Sequence, residues 1–313
     1  MYPLRLLLPV LLLIALSGVC HAAQITDYRV LRKPVRDRLG KIRVAIRSFN
    51  ADQVAHLLVV DPVTLESSAL PASALAFAGP SSEPLLAATN YLKTLERYSQ
   101  PPYRLQNAGA VRAESGLEGV YLTVDLCPSR RPFERELFEA AAALGKGAPV
   151  PVAVAITGVW LASHPEELAY LKGEEAAGRL SITWVNHSYH HSYDPKVPLE
   201  QNFLLTPGTD LSAEVLELEQ QLLARGLVPS PFFRFPGLVS DEAAIKRLRE
   251  LSLIPIGSDA WLAKGEAPRH GSFSLVHGNG NEPKGVKLLL PLLKSNQFRL
   301  LPLPAAFIPS QRL

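Results

Sequence analysis

Apolar positions along this 313-residue chain fall into three regimes. A short unbroken apolar run occupies 6–16, behind the single charge of Arg5 and ahead of the small residues Ala22 and Ala23. From 24 to 114 the pattern is mixed. Residues 41–48 alternate, with Ile42, Val44 and Ile46 on one face; 54–60 are continuously apolar; 85–98 carry apolar residues at helical spacing and predict one helix. After Gly119 short apolar runs alternate regularly with amphipathic stretches. The pattern predicts strands at 121–125, 151–157, 180–186, 232–235, 254–257, 272–277 and 298–301. Helices are predicted at 133–144, 165–177, 211–225, from an N-cap at Ser240 to about 251, and at 285–294. Such β-α alternation implies an α/β fold with a parallel sheet, open or closed into a barrel.

Functional groups in these folds gather at the carboxyl ends of the strands. Asp125 ends the first strand, and Asn186 and His187 end the third. Arg234 sits in the fourth just before Pro236 and Gly237, Asp259 follows the fifth, and His277 closes the sixth. Candidate polar groups therefore converge on one rim.

Composition narrows the class. With 47% hydrophobic and 19% charged residues the chain can bury a large core and is neither disordered nor fibrous. The leading run, too short to span a bilayer, reads as a cleavable secretory signal over 1–23, so a periplasmic or secreted protein is expected. A lipoprotein anchored through Cys20 ranks second, because Val19 stands where a lipobox has a small residue. The formal net charge of +3 drops by one when Arg5 leaves, and no concentrated basic run exists, which argues against nucleic acid as a partner. The Lys and Arg residues between Arg29 and Arg47 read as one solvated face. Cys127 is then the only cysteine left, so no internal disulfide forms and the thiol must be buried or ligated.

The densest chemistry is Trp184-Val185-Asn186-His187-Ser188-Tyr189-His190-His191, with three of the eight histidines in five positions. If the chain turns helically there, His187 and His191 lie four apart on one face and can share a divalent metal, with zinc the first choice. An acidified metal-bound water attacks carbonyl carbon, and such a hydrolase needs a base and an acid, for which Asp125 and His277 are the candidates. An Arg beside a buried Asp would hold it ionised, and Asp259 near His277 would keep that imidazole protonated.

In order and context these residues resemble the NodB-like polysaccharide deacetylases, family four of the carbohydrate esterases. Residues 122–129, Leu-Thr-Val-Asp-Leu-Cys-Pro-Ser, resemble the first motif, Thr-Phe-Asp-Asp-Gly-Pro; 186–191 resemble Asn-His-Thr-x-x-His. Phe233-Arg234-Phe235-Pro236-Gly237 is similar to Arg-x-Pro, Asp259-Ala260-Trp261 to the Asp-and-Trp motif, and Ser274-Leu275-Val276-His277 to Leu-x-His. The resemblance covers about the C-terminal two-thirds. It implies a distorted (β/α) barrel of about seven strands over 115–313, with 24–114 as a smaller accessory region. It also implies metal-dependent removal of an acyl group, usually acetate, from an N-acetylated polysaccharide. Carried over by position, His187 and His191 are metal ligands, Asp125 the base, Arg234 its orienting partner, His277 the acid and Asp259 its tuner. Trp261, with Pro236 and Gly237, lines the substrate pocket.

One position departs from the family: its second aspartate, a metal ligand, is Leu126 here. Three outcomes are open, in this order. Asp125 takes the ligand role; Cys127 approaches the metal; or the site is metal-poor and the protein holds polysaccharide without turnover.

Overall fold

The computed structural model describes residues 22–79, 83–113 and 115–308. Of the signal expected over 1–23, residues 1–21, Cys20 among them, lie outside the described residues. Among those described, no helix is long and apolar enough to cross a membrane.

The first third forms a five-stranded antiparallel sheet followed by two short helices. β1 (Ile25–Asp37), β2 (Ile42–Ala51), β3 (Val54–Val60), β4 (Ser67–Pro71) and β5 (Leu75–Phe77) are ordered β4-β3-β2-β1-β5. The helices are α1 (Glu83–Ala87) and α2 (Asn90–Tyr98). The single helix expected at 85–98 is thus two. The Thr89 hydroxyl accepts from Leu92 N at 3.3 Å, and this cap starts a new helix instead of continuing the old one.

The remainder alternates as the sequence predicts. Its elements are β6 (Tyr121–Leu126), α3 (Arg135–Ala142), β7 (Val150–Ile156), α4 (Gly158–Ser163), α5 (Pro165–Ala176) and β8 (Leu180–Asn186). Then come α6 (Leu211–Ala224), β9 (Phe232–Phe233), α7 (Glu242–Glu250), β10 (Ile254–Pro255), β11 (Ala260–Trp261), β12 (Phe273–His277) and α8 (Pro283–Lys294). Seven parallel strands in the order β10-β9-β8-β7-β6-β12-β11 form a curled half-barrel. Two local expectations change. Residues 298–301 contribute only a bridge between Val120 and Leu300, and the seventh strand is β11. The cap of α7 is Asp241, whose carboxylate accepts from Ala244 N at 2.7 Å, while Ser240 N is bonded to Leu105 O.

Strand alternation sorts side chains onto two faces. Leu122, Val124 and Leu126 of β6, with Val152, Val154 and Ile156 of β7, face the helices and share a core with Phe138, Trp160 and Leu171. Tyr121, Ala153, Ala155 and Val185 face the other way, where they meet Val44, Ile46 and Leu58 of the antiparallel sheet, Tyr91 and Leu95 of α2, and Phe307. One hydrophobic cluster therefore spans both sheets. Arg47 sits at this junction, fully buried, with its guanidinium forked onto Glu219 of α6 at 2.7 and 2.9 Å and donating to Leu251 O at 2.8 Å. The basic stretch between Arg29 and Arg47 is thus not a uniformly solvated face, because a β-bulge between Ala45 and Arg47 breaks the alternation and turns Arg47 to the same side as Val44 and Ile46, onto a carboxylate.

Residues 106–113 run across the gap between the ends of the curled sheet. Ala110 N donates to Pro255 O and Gly257 N to Ala110 O on one side, while Ala113 N reaches Gly271 O on the other. Gly109, at φ +87°, lies so close to Pro255 that an added Cβ would meet its carbonyl oxygen at 2.3 Å.

Candidate metal centre

A cavity of about 590 Å³ opens at the carboxyl end of the parallel strands, lined among others by Asp125, Cys127, His187, His191, Trp261, His277 and Glu282. Its floor follows from strand geometry. Position 126 faces the helices, so Asp125 and the residue two further on, Cys127, both point into the cavity. Leu126 is fully buried in the core behind them.

Asp125 is fixed by Arg234, whose Nη1 donates to Oδ1 at 2.7 Å and to Thr123 Oγ1 at 2.8 Å while Nη2 donates to Gly257 O at 3.0 Å. Burial alone would raise the carboxyl pKa; Arg234, with His187 and His277, outweighs it and holds the group below the usual range. Its second oxygen stands 3.7 Å from His187 Nε2.

The histidines come from a loop, not the helical turn that their four-residue spacing allows. Asn186 Oδ1 accepts from Ser188 N at 3.0 Å and its amide donates to Val215 O at 2.9 Å, turning the chain sharply just after β8. Glu214 then accepts from the backbone N–H of Tyr189 and of His190, at 2.9 and 2.8 Å. Ser188 and His191 both adopt positive φ, 67° and 52°, so the loop doubles back and brings the rings of His187 and His191 to 4.9 Å between centroids. His190 points away and pairs with Glu214.

His187 Nδ1 lies 2.7 Å from the carbonyl oxygen of Arg234. An acceptor there puts the imidazole proton on Nδ1 and leaves the Nε2 lone pair facing the cavity, 3.6 Å from Cys127 Sγ. Ligand atoms of Cys127, His187 and His191 all lie within 4.8 Å of one another. Burial would raise the Cys127 thiol pKa, but the facing imidazoles of His191, His277 and His187 reverse the effect and hold it well below its ordinary value. A thiolate, an oriented imidazole and a second imidazole are the donor types a zinc-like ion takes, so the residues fit a metal. The group that could hold an ion has Cys127 as its third member, while Asp125, bound through Oδ1 to Arg234, keeps Oδ2 at 3.7 Å from His187 Nε2.

His277 stands on the opposite wall. Its Nδ1 is 2.8 Å from Glu282 Oε2, an ion-pair distance without the alignment of a linear hydrogen bond. Burial favours the neutral ring, yet Cys127 and Glu282 together raise its pKa well above the ordinary value. Asp259 lies apart from it. Its Oδ1 accepts from Phe273 N at 3.2 Å and its Oδ2 is 3.8 Å from Arg269 Nε, so the carboxyl expected to tune His277 anchors the start of β12 instead. Trp261 lines the cavity and donates its indole N–H to Glu282 at 2.7 Å. Gly237 also lines it, at φ +60°, where a Cβ would strike the Phe203 ring at 2.4 Å; Pro236 is buried in the same turn, outside the cavity lining. Glu282 escaped the sequence, which signals it only by an acid five residues beyond the end of β12, while the Gly278 to Gly280 loop with its asparagines reads there either as room for substrate beside His277 or as ordinary loop.

The fold and site define an incomplete (β/α) barrel with a cluster of Cys127, His187 and His191 at the carboxyl ends of its strands. Comparison with known proteins adds the following. The RP012 protein N-terminal domain family matches residues 26–87, the region of the antiparallel sheet. The chain is similar to a family 4 carbohydrate esterase from Bacillus anthracis at 16% identity and a TM-score of 0.48, covering 68% of this chain and 89% of that one. It is similar to the peptidoglycan N-acetylglucosamine deacetylase Bc1960 at 17% identity and a TM-score of 0.47, covering 70% and 97%. A family 4 pseudoenzyme from Bacillus anthracis, BA3943, is similar at 15% identity and a TM-score of 0.44, covering 65% and 70%.

Proposed function

We propose that the protein is a divalent-metal-dependent hydrolase that removes an acyl group, acetate in the first instance, from the nitrogen of an N-acetylated polysaccharide outside the cytoplasm. The observation that carries this is the joint presence, around one cavity, of the Cys127–His187–His191 cluster, a carboxylate held ionised by Arg234, and His277. The five ordered motifs that resemble the polysaccharide deacetylases supply the substrate class.

A bound zinc-like ion supplies Lewis acidity toward the acyl carbonyl and lowers the pKa of water. The side chains do the rest. Arg234 occupies one oxygen of Asp125, leaving the other toward His187 as the base that takes a proton from water. His277, protonated beside Cys127 and Glu282, gives a proton to the departing sugar amine. Trp261 forms an apolar wall against which a pyranose face packs. A second reading, a protein that holds glycan without cleaving it, draws on one observation: Leu126, where the deacetylases have their second aspartate, is buried in the core.

The test is metal analysis together with acetate release from N-acetylglucosamine oligomers. About one zinc per chain is expected, with acetate release abolished by chelation and restored by zinc. A protein that binds no zinc, and whose melting temperature does not respond to added zinc, would overturn the reading.

A further inference from the structure

Glu282 is the residue immediately before α8, the N-cap position, yet its side chain makes no capping hydrogen bond. An acceptor there ordinarily satisfies the helix's free N–H groups. Pro283 at the first helical position removes one of those donors, and the carboxylate turns to the cavity. There a single oxygen, Oε2, meets Trp261 Nε1 at 2.7 Å and His277 Nδ1 at 2.8 Å. An ionised carboxylate only accepts, so Trp261 donates to Oε2, and the ion-pair contact places the Nδ1 side of the His277 ring against the same oxygen, with the ring also facing Cys127 and the cavity.

The loop that delivers Glu282 is fastened to the turn carrying Cys127. Asn279 Nδ2 donates to Cys127 O at 2.7 Å, Asn281 Nδ2 to Pro128 O at 3.3 Å, and Ser129 Oγ to Asn281 Oδ1 at 3.0 Å. Glycines permit the close approach. A Cβ on Gly278 would lie 2.7 Å from Val124 Cγ1, and one on Gly280, at φ +72°, 2.7 Å from Pro132 O. On the far side Lys264 Nζ sits 3.7 Å above the Trp261 ring, holding the indole from its outer face. Asp259, the other carboxylate close in sequence, is committed to Phe273 N and Arg269.

We propose that Glu282 is the positioning residue of this site, fixing the ring of His277 and the indole of Trp261 together and tying both to the turn that bears Cys127. The proposal rests on the hydrolase reading for its kinetic consequence but not for its structural one. Its test therefore pairs a spectroscopic readout of the resting, zinc-loaded protein with kinetics on N-acetylglucosamine oligomers. With nitrogen-15-labelled histidine, Glu282→Gln shifts the His277 imidazole signals and leaves those of His187 in place, whereas Asp259→Asn leaves His277 unmoved. In turnover Glu282→Gln lowers kcat about 10- to 100-fold with KM within about twofold, and Glu282→Asp recovers part of the loss. His277 signals that ignore Glu282→Gln, or that move equally in Asp259→Asn, overturn the proposal. The expected shift without acetate release from the wild type would uphold the positioning role and sink the hydrolase reading alone.

Discussion

The imidazole Nδ1 of His187 is 2.7 Å from the main-chain carbonyl oxygen of Arg234, while the side chain of that same arginine holds Asp125. One residue thus orients a metal-ligand candidate through its backbone and the candidate base through its guanidinium. The two roles separate on mutation. Arg234→Met keeps the carbonyl and removes the guanidinium, leaving Asp125 buried and unpaired, at a cost of about 3–5 kcal/mol. Urea unfolding should register that loss, while zinc content stays near that of the wild type.

Cys127 has a spectroscopic signature that carboxylate ligands lack. In the cobalt-substituted protein a thiolate ligand gives intense near-ultraviolet charge-transfer absorption. This band should be present in the wild type and absent in Cys127→Ser. Zinc affinity should fall at least about 100-fold, since losing even an outer partner of a ligand costs 10–100-fold. A cobalt spectrum indifferent to the substitution would remove Cys127 from the ligand set.

Asp125→Asn separates the catalytic from the binding-only reading. The amide preserves shape but takes no proton, so kcat should fall by about 10²–10⁴-fold while zinc and N-acetylglucosamine oligomers still bind. The discriminating measurement is acetate release set beside calorimetric binding. Wild-type binding without any acetate release would favour the glycan-holding alternative.

Asp61 gives a pH dependence remote from the cavity. It is buried, paired with Lys41 at 2.7 Å and Arg43 at 2.8 Å, and accepts from the N–H groups of Val63 and Thr64. Burial raises its pKa, but Lys41 and the two backbone donors more than compensate, and the group sits below its ordinary value. A carboxyl depressed on folding stabilises the folded state at neutral pH, and that contribution disappears as pH falls through the folded pKa. Asp61→Asn should therefore cost about 1–3 kcal/mol at pH 7. The gap to the wild type should close below the ordinary carboxylate range, and melting curves from pH 7 to pH 3 check it.

The β-α series was legible because parallel strands buried on both faces read as continuous apolar runs, and the rim residues Asp125, His187, Arg234 and His277 fall at strand ends. What escaped depended on contacts distant in sequence. Arg47 is indistinguishable from its solvated neighbours until α6 brings Glu219 beside it, and the partner of His277 is set by the path of the 278–282 loop. For the third ligand the sequence ranks Cys127 second of the three outcomes, behind Asp125. Strand alternation places it on the Asp125 face and Leu126 on the other, so a motif aligned residue by residue draws attention to the wrong neighbour.

The segment at 106–113 bears on how this molecule assembles. It pairs with Leu238, Pro255, Gly257 and Gly271, more than a hundred positions further along the chain. Such pairings require long loops to close before any contact repays them, and they slow folding. The wall of the cavity that includes Gln106 therefore depends on pairings between residues far apart in the chain. In chain order Tyr91 and Leu95 of α2 are the first partners for Val44, Ile46 and Leu58, and the cluster is complete only once Tyr121, Ala153, Ala155, Val185, Phe232, Ile254 and Phe307 have joined it.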